Sequence, residues 1–331
     1  MSNTTNSSSV QLRTITGSEL TVWIVAQFVI GIVGAVLTIL LLIIMHRQQR
    51  LRRGSGLLIA HALSVDLIFC LVISPVTVIP IYLHQMDIPV WYNCVLADFF
   101  LLVAIYLGNW TAVVLAINRL IAIILPQMYT KMTSLRFTTC LLIFVWTITI
   151  TCNIPNLNIV PGLAHGRQAS GACGLIQNDR GIFTILGVLG TYLPVALLGA
   201  LYSCLFVLSR FVNGRDRQND AQRSLLKRKL AIAKALCLSF VWYCICILPP
   251  AVLNMYYAAW WNKEIRVLLY TRSAQLLGYA ANPVFFFAVN AEYRAALRRL
   301  GTHCIFPKRR RLTHETHAGN SISKFRQSSS K

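Results

Sequence analysis

Asp66 and Asp98 are the only two of the chain's ten acidic residues that fall inside long apolar runs, and Arg119 closes another such run at its inner end. A charged side chain in that setting is costly unless it reaches water, a polar partner or a docking protein, so each is a candidate for function. The chemistry on offer is electrostatic. A lone buried carboxylate such as Asp66 needs a cation, hydrogen-bond donors or a proton, and the plain alternative is a protonated acid bonded to a neighbouring helix. Arg119 is either a snorkelling cation at a helix end or a group awaiting a protein that docks onto it. Asp98, one turn inside Cys94, has three readings open: it meets a cationic ligand, it meets Arg272, or it faces water. No phosphate-cradling loop, catalytic triad or metal-ligand cluster is present in the sequence, so neither an enzyme nor a metal centre is expected.

The elements that hold these residues follow from composition. Of 331 residues, 56% are hydrophobic and 12% charged, with mean hydropathy +0.60; a soluble domain carries about twice that charged fraction. Seven apolar runs stand at about 21–45, 56–83, 94–124, 137–160, 183–212, 230–257 and 267–290. Their length suits membrane-crossing helices, and only helices or closed barrels satisfy the backbone in lipid. The expected fold is an all-α membrane protein, a seven-transmembrane helix bundle with a short amphipathic eighth helix at Ala291–Leu300. The organisation is an outer tail 1–20, a bundle 21–300 and a basic cytoplasmic tail 301–331, whose part from Lys308 to Lys331 is predicted by its composition to be disordered. Twenty-three basic residues lie in the loops and tail on one side and five on the other. That asymmetry orients the N-terminus outside. The net charge of +21 is accordingly assigned to cytosolic loops and anionic lipid, not to nucleic acid. Asn3 and Asn6 head glycosylation sequons on the outer side, although such short motifs also arise by chance. Cys304 is a palmitoylation candidate or a plain cysteine; Cys70, Cys140, Cys152, Cys204, Cys237, Cys244 and Cys246 read as small core residues.

Several motifs together resemble the rhodopsin-like (class A) G-protein-coupled receptors. Asn118-Arg119-Leu120, followed by Pro126, resembles the Asp-Arg-Tyr…Pro signature, and Leu63-Ser-Val-Asp66 resembles the acidic motif of the second helix. Pro75, Trp146, Pro194 and Tyr202 stand where that family has its helix markers. Cys246-Ile247-Leu-Pro249 resembles Cys-Trp-x-Pro, and Asn282-Pro283-Val-Phe-Phe286 resembles Asn-Pro-x-x-Tyr with the hydroxyl missing. The chain departs from the pattern at Ala35, where the first helix usually has asparagine, and at Asn118. An Asn-Arg pair also occurs in the melatonin-receptor group and in the insect moody and trapped-in-endoderm receptors, to which the chain is loosely similar.

The resemblance implies a plasma-membrane, multi-pass receptor. An extracellular ligand would bind from outside, and a heterotrimeric G protein, and arrestin, from inside. Asn118, Arg119, Tyr202, Pro249, Asn282, Pro283 and Phe286 would take part in activation and coupling. Cys94 and Cys173 would form the family disulfide between the third helix and the second outer loop. Asp66, with Asn109 and Asn282, would form a polar core able to hold a structural sodium ion, but Gly108 and Gly278 replace residues that usually help coordinate it. Asp98, Leu101 and Tyr256 are candidate pocket residues. Leu101 in place of an aspartate argues against a biogenic amine, and Leu276 in place of the retinal lysine argues against an opsin. Tyr82, Phe99, Tyr257 and Trp260 are expected to add aromatic lining, which suits a peptide, a lipid or a small indole-like ligand. The rival class is a seven-helix transporter or channel, though no internal repeat supports it.

Overall fold

The computed structural model describes residues 16–47, 56–89, 91–125, 127, 129, 134–157, 159, 163–168, 170–178, 180–213, 220–257, 264–289, 291 and 293–298. Asn3, Asn6, Trp260, the tail 301–331 with Cys304, and the side chains of Lys227, Arg228 and Lys229 lie outside the described residues. Among the described residues, seven helical rods make the bundle: α1 (Gly17–Arg47), α2 (Gly56–Gln85), α3 (Cys94–Ile124), α4 (Leu135–Asn153), α5 (pieces Arg180–Gly187, Val188–Tyr192 and Leu193–Asn213), α6 (Asp220–Tyr256) and α7 (Ile265–Ala280, then Asn282–Val289). Among the described residues, six are long and apolar enough to cross a membrane; α7 is divided at Ala281 into pieces of 16 and 8 residues. The division precedes Pro283, whose ring and missing N–H disfavour an uninterrupted helix.

Proline shapes two other rods. In α2 the segment Phe69–Ile73 widens to a π turn, and Ser74 N–H donates to Phe69 O just before Pro75. In α5 Val188–Tyr192 does the same, with Leu193 N–H donating to Val188 O just before Pro194. A π bulge lengthens the local hydrogen-bond ring and helps the helix accommodate proline.

Helix α3 runs through the middle of the bundle and packs on α2, α4, α5 and α6. Close approach elsewhere is secured by small residues. A Cβ on Gly34 of α1 would lie 2.6 Å from Ala280 Cβ of α7, and one on Gly190 of α5 would lie 2.1 Å from the Tyr106 ring. Gly190 is therefore what lets α5 lie against that tyrosine.

Two features differ from the sequence reading. The second outer loop folds into an antiparallel hairpin, β1 (Leu163–Arg167) with β2 (Cys173–Asn178), inside a bundle expected to be wholly helical. Cys140 and Cys204, expected in the core, are exposed on the outer surface of the rods; in a bilayer that surface meets lipid, where a thiol is tolerated as a small apolar group. The segment expected as an eighth helix is helical at 293–298, with Tyr293 and Ala296 buried against the bundle, while residues 290, 292, 299 and 300 lie outside the described residues.

Candidate ligand cavity and the polar core beneath it

The hairpin roofs the outer end of the bundle and is held at several points. Asn93 caps α3, its side chain accepting from Leu96 N–H at 3.2 Å, and the next residue, Cys94, is joined to Cys173 at 2.04 Å. The turn between the strands depends on Gly171. Its φ is +83°, and an added Cβ would stand 2.4 Å from His84, so a left-handed backbone and a close approach to α2 coincide there. Gln85 Nε2 donates to Ser170 O at 3.3 Å, tying the same turn to the end of α2.

Strand register slips between Ala164 and His165, an irregularity of the kind that re-aims a side chain. His165 points into the bundle. Its Nδ1 meets Asp98 Oδ2 at 2.5 Å and its Nε2 meets Asn156 Oδ1 at 3.2 Å. Asn156 is itself oriented by donating from Nδ2 to Asn153 Oδ1 at 3.3 Å. The amide oxygen requires a proton on Nε2, and the contact with the carboxyl requires another between Nδ1 and Asp98. On whichever atom that second proton rests, the pair is neutral overall. This corrects the readings offered for Asp98: its contact partner is a loop histidine, and neither Arg272 nor open water takes that place.

Beneath the roof lies a cavity of about 980 Å³, its open mouth included. Leu101, Ile105 and Ile247 give it an apolar floor, and Tyr106, Tyr192 and Asn254 add polar atoms to the wall. Arg272 lines it from α7. Nη1 of Arg272 donates to Gln275 Oε1 at 3.2 Å, and its buried Nε has no hydrogen-bond partner among the described residues. Asp98 acts on this guanidinium electrostatically without making an ion-pair contact. Nearby, the Tyr92 hydroxyl donates to Val76 O. Burial pushes that phenol up to about 12, Arg272 pulls it down in part, and Asp98 pushes it up.

Asp98 and Leu101 therefore stand at the cavity, and Tyr256 does not. The Tyr256 side chain is 69% exposed, and its neighbour Met255 lines the wall instead. One residue along a helix is a turn of about 100°, enough to carry the ring off the bundle. Tyr82, Phe99 and Tyr257 are also absent from the lining.

A second cavity, about 710 Å³ with its opening, lies deeper and is polar on one side. Asn282 Nδ2 donates to Asp66 Oδ2 at 3.0 Å, and Ser239 Oγ donates to Asn282 Oδ1 at 2.5 Å, linking α2, α6 and α7. Tyr243 donates its hydroxyl to Asn109 Oδ1, and Asn109 Nδ2 donates to Gly190 O at 2.8 Å. The last bond has a sequence cause. Pro194, four residues on, has no N–H to give to Gly190, so the orphaned carbonyl takes its donor from α3.

The Tyr279 ring stacks on Phe69 at 3.9 Å and comes within 3.6 Å of where a Gly108 Cβ would stand. Gly108 and Gly278 bring no side-chain oxygen. The carboxamide oxygens of Asn109 and Asn282 already accept hydrogen bonds. A sodium ion held here would rely first on the Asp66 carboxylate, with the second lone pairs of those amide oxygens beside it.

At the inner end Arg119 and Asn118 are each only 4% exposed, and Asn118 Oδ1 has no hydrogen-bond partner among the described residues. Tyr202 is buried in the electrostatic neighbourhood of Arg119 and packs on Phe240 of α6 at 5.3 Å between ring centres. Phe286 belongs to the same apolar cluster and meets Tyr293 edge-on at 6.0 Å. Pro249 lies within continuous α6, and Pro283 opens the lower piece of α7.

A family-wide profile described as 7 transmembrane receptor (rhodopsin family) matches residues 37–284. The chain belongs to that family. This receptor is 23% identical over 323 residues to the allatostatin-A receptor of Bombyx mori, covering 89% of this chain and 84% of the relative. It is 20% identical over 274 residues to melatonin receptor type 1A of Gallus gallus, covering 76% of each. Squid rhodopsin superposes with a TM-score of 0.70 at 16% identity over 88% of both chains, a likeness of fold. Four residues of the receptor's polar layers escaped the sequence reading: His165, Asn156, Ser239 and Tyr243. A histidine eight residues before Cys173 gave no sign of its partner 67 positions away. Gly190, four before Pro194, did carry a usable signal.

Proposed function

We propose that this receptor binds an extracellular ligand in the cavity under the hairpin and activates a heterotrimeric G protein by opening its inner face around Arg119. The observation that carries this reading is the vertical stacking of the two cavities. Ile247 floors the outer one and packs beside Gly278, whose helix supplies Tyr279 and Asn282 to the lower one. A ligand that displaces Ile247 would load α6 against α7 where Ser239 holds Asn282. A two-state bundle biased from outside in this way is what signalling requires.

Asn118, Arg119, Tyr202, Pro249, Asn282, Pro283 and Phe286 are assigned to this transmission. The receptor sits in the plasma membrane with its N-terminus outside; its basic loops and tail meet anionic lipid and, after activation, arrestin. The name of the silkworm relative favours a peptide, and that of the avian relative a small indole; both chemistries suit an apolar cavity.

Purified receptor in lipid discs, tested for ligand-stimulated nucleotide exchange, examines the proposal. Arg119→Ala should keep ligand binding and lose most stimulated exchange. Undiminished exchange in a well-expressed variant, or solute flux through vesicles in place of exchange, would overturn it.

A further inference from the structure

We propose that the ligand of this receptor carries a carboxylate and that Arg272 receives it. The inference rests on the outer cavity being the ligand site and deepens that reading. Asp98, His165 and Arg272 are the acidic and basic side chains lining the cavity among the described residues. The first two neutralise each other at 2.5 Å, and Asn156 fixes the histidine so that it cannot turn to other work. One positive charge is left facing the cavity.

Arg272 is well placed to use it. Its one hydrogen bond to a described residue goes to Gln275, and a buried Nε stands without an acceptor among the described residues. A guanidinium presents a planar fork of donors matched to a carboxylate. A buried donor without a partner is costly, so a ligand that supplies the acceptor gains affinity from a group the folded protein leaves unsatisfied. The single charge also limits the choice of anion. A phosphate monoester brings about two negative charges at neutral pH, and the described lining has no second cation to meet them. An amine, by contrast, would face Arg272 while Asp98, the acid of the described lining, is already engaged. The apolar floor of Leu101, Ile105 and Ile247 requires that the carboxylate be borne on a hydrophobic body.

Two sources present this chemistry, a peptide with a free C-terminus and a small aryl or fatty acid. The test uses short hydrophobic peptides ending in a free carboxylate and a panel of indole and fatty acids, each paired with its amide. Thermal unfolding of the purified full-length receptor is the readout, which needs no G protein. Acids in one panel should raise the midpoint, with their amides weaker by about tenfold or more, the scale of a lost charge-assisted hydrogen bond. The responding panel names the source.

Arg272→Gln should abolish the preference for acids. Arg272→Lys should retain part of it, since the charge stays and the fork is lost. The ligand-free midpoints of both variants report whether they fold. The proposal is overturned if amides or amines stabilise as well as acids, if the acid response survives in a folded Arg272→Gln, or if neither panel's acids bind. Because nucleotide exchange is measured separately, such a failure would leave the coupling role of Arg119 standing.

Discussion

Asn118 stands beside the receptor's inner arginine with a buried carboxamide oxygen that has no partner among the described residues. An aspartate in its place would make a charge-assisted bond to the neighbouring guanidinium, stronger than a neutral amide can make. Such a bond restrains the arginine in the resting state and is lost when the arginine turns to a docked protein. A shift of about 1.4 kcal/mol in that balance changes the ratio of the two states tenfold. Asn118→Asp is therefore expected to lower ligand-free nucleotide exchange several-fold at matched surface expression; equal or higher basal exchange would contradict the argument. The second restraint depends on the inner end of α6, where Lys227, Arg228 and Lys229 would repel Arg119, but their side chains lie outside the described residues. At this scale the sequence was informative about cost and uninformative about partners. It marked Asp66, Asp98 and Arg119 as expensive to bury, because expense is a property of residue type and surroundings. It could not supply His165 for Asp98, because that pairing depends on a strand register slip in a loop.

Elements were more legible. Most rod ends fall within a few residues of the apolar runs, since membrane length and hydropathy set them; α6 begins earlier, at Asp220, and α4 ends earlier, at Asn153. The π turns are less visible, but both stand immediately before a proline, and one has a testable consequence. If Asn109 donates to Gly190 because Pro194 cannot, Asn109→Ala should destabilise the receptor by about 1–2 kcal/mol, the cost of an unsatisfied buried carbonyl. In a Pro194→Ala background the restored N–H can serve Gly190, so the same substitution should cost less. The double-mutant cycle should return a coupling near 1 kcal/mol. Equal costs in both backgrounds would separate the proline from the asparagine. The loss that remains in the double variant belongs to Tyr243, which also bonds Asn109. The hairpin could not be read from hydropathy, because Leu163–Arg167 and Cys173–Asn178 are too short and mixed to alternate cleanly.

For the molecule as a whole, the disulfide fastens the roof to the central helix. Cys94→Ala and Cys173→Ala should each impair ligand binding or surface expression to a similar degree, with the double variant no worse than either single one, as partners in one bond require. Two clearly additive losses would show that the thiols act separately. The division of α7 at Ala281 matters at the same scale. Arg272 stands nine residues above it, which is about 14 Å along a helix axis. Below it, Asn282 is pinned to Asp66 and Ser239. The upper piece of α7 is thus a lever arm with its fulcrum at Ala281 and its load at the cavity. A tilt of about 10° there carries Arg272 sideways by roughly 2 Å, near the difference between holding a hydrogen-bonded group and letting it go.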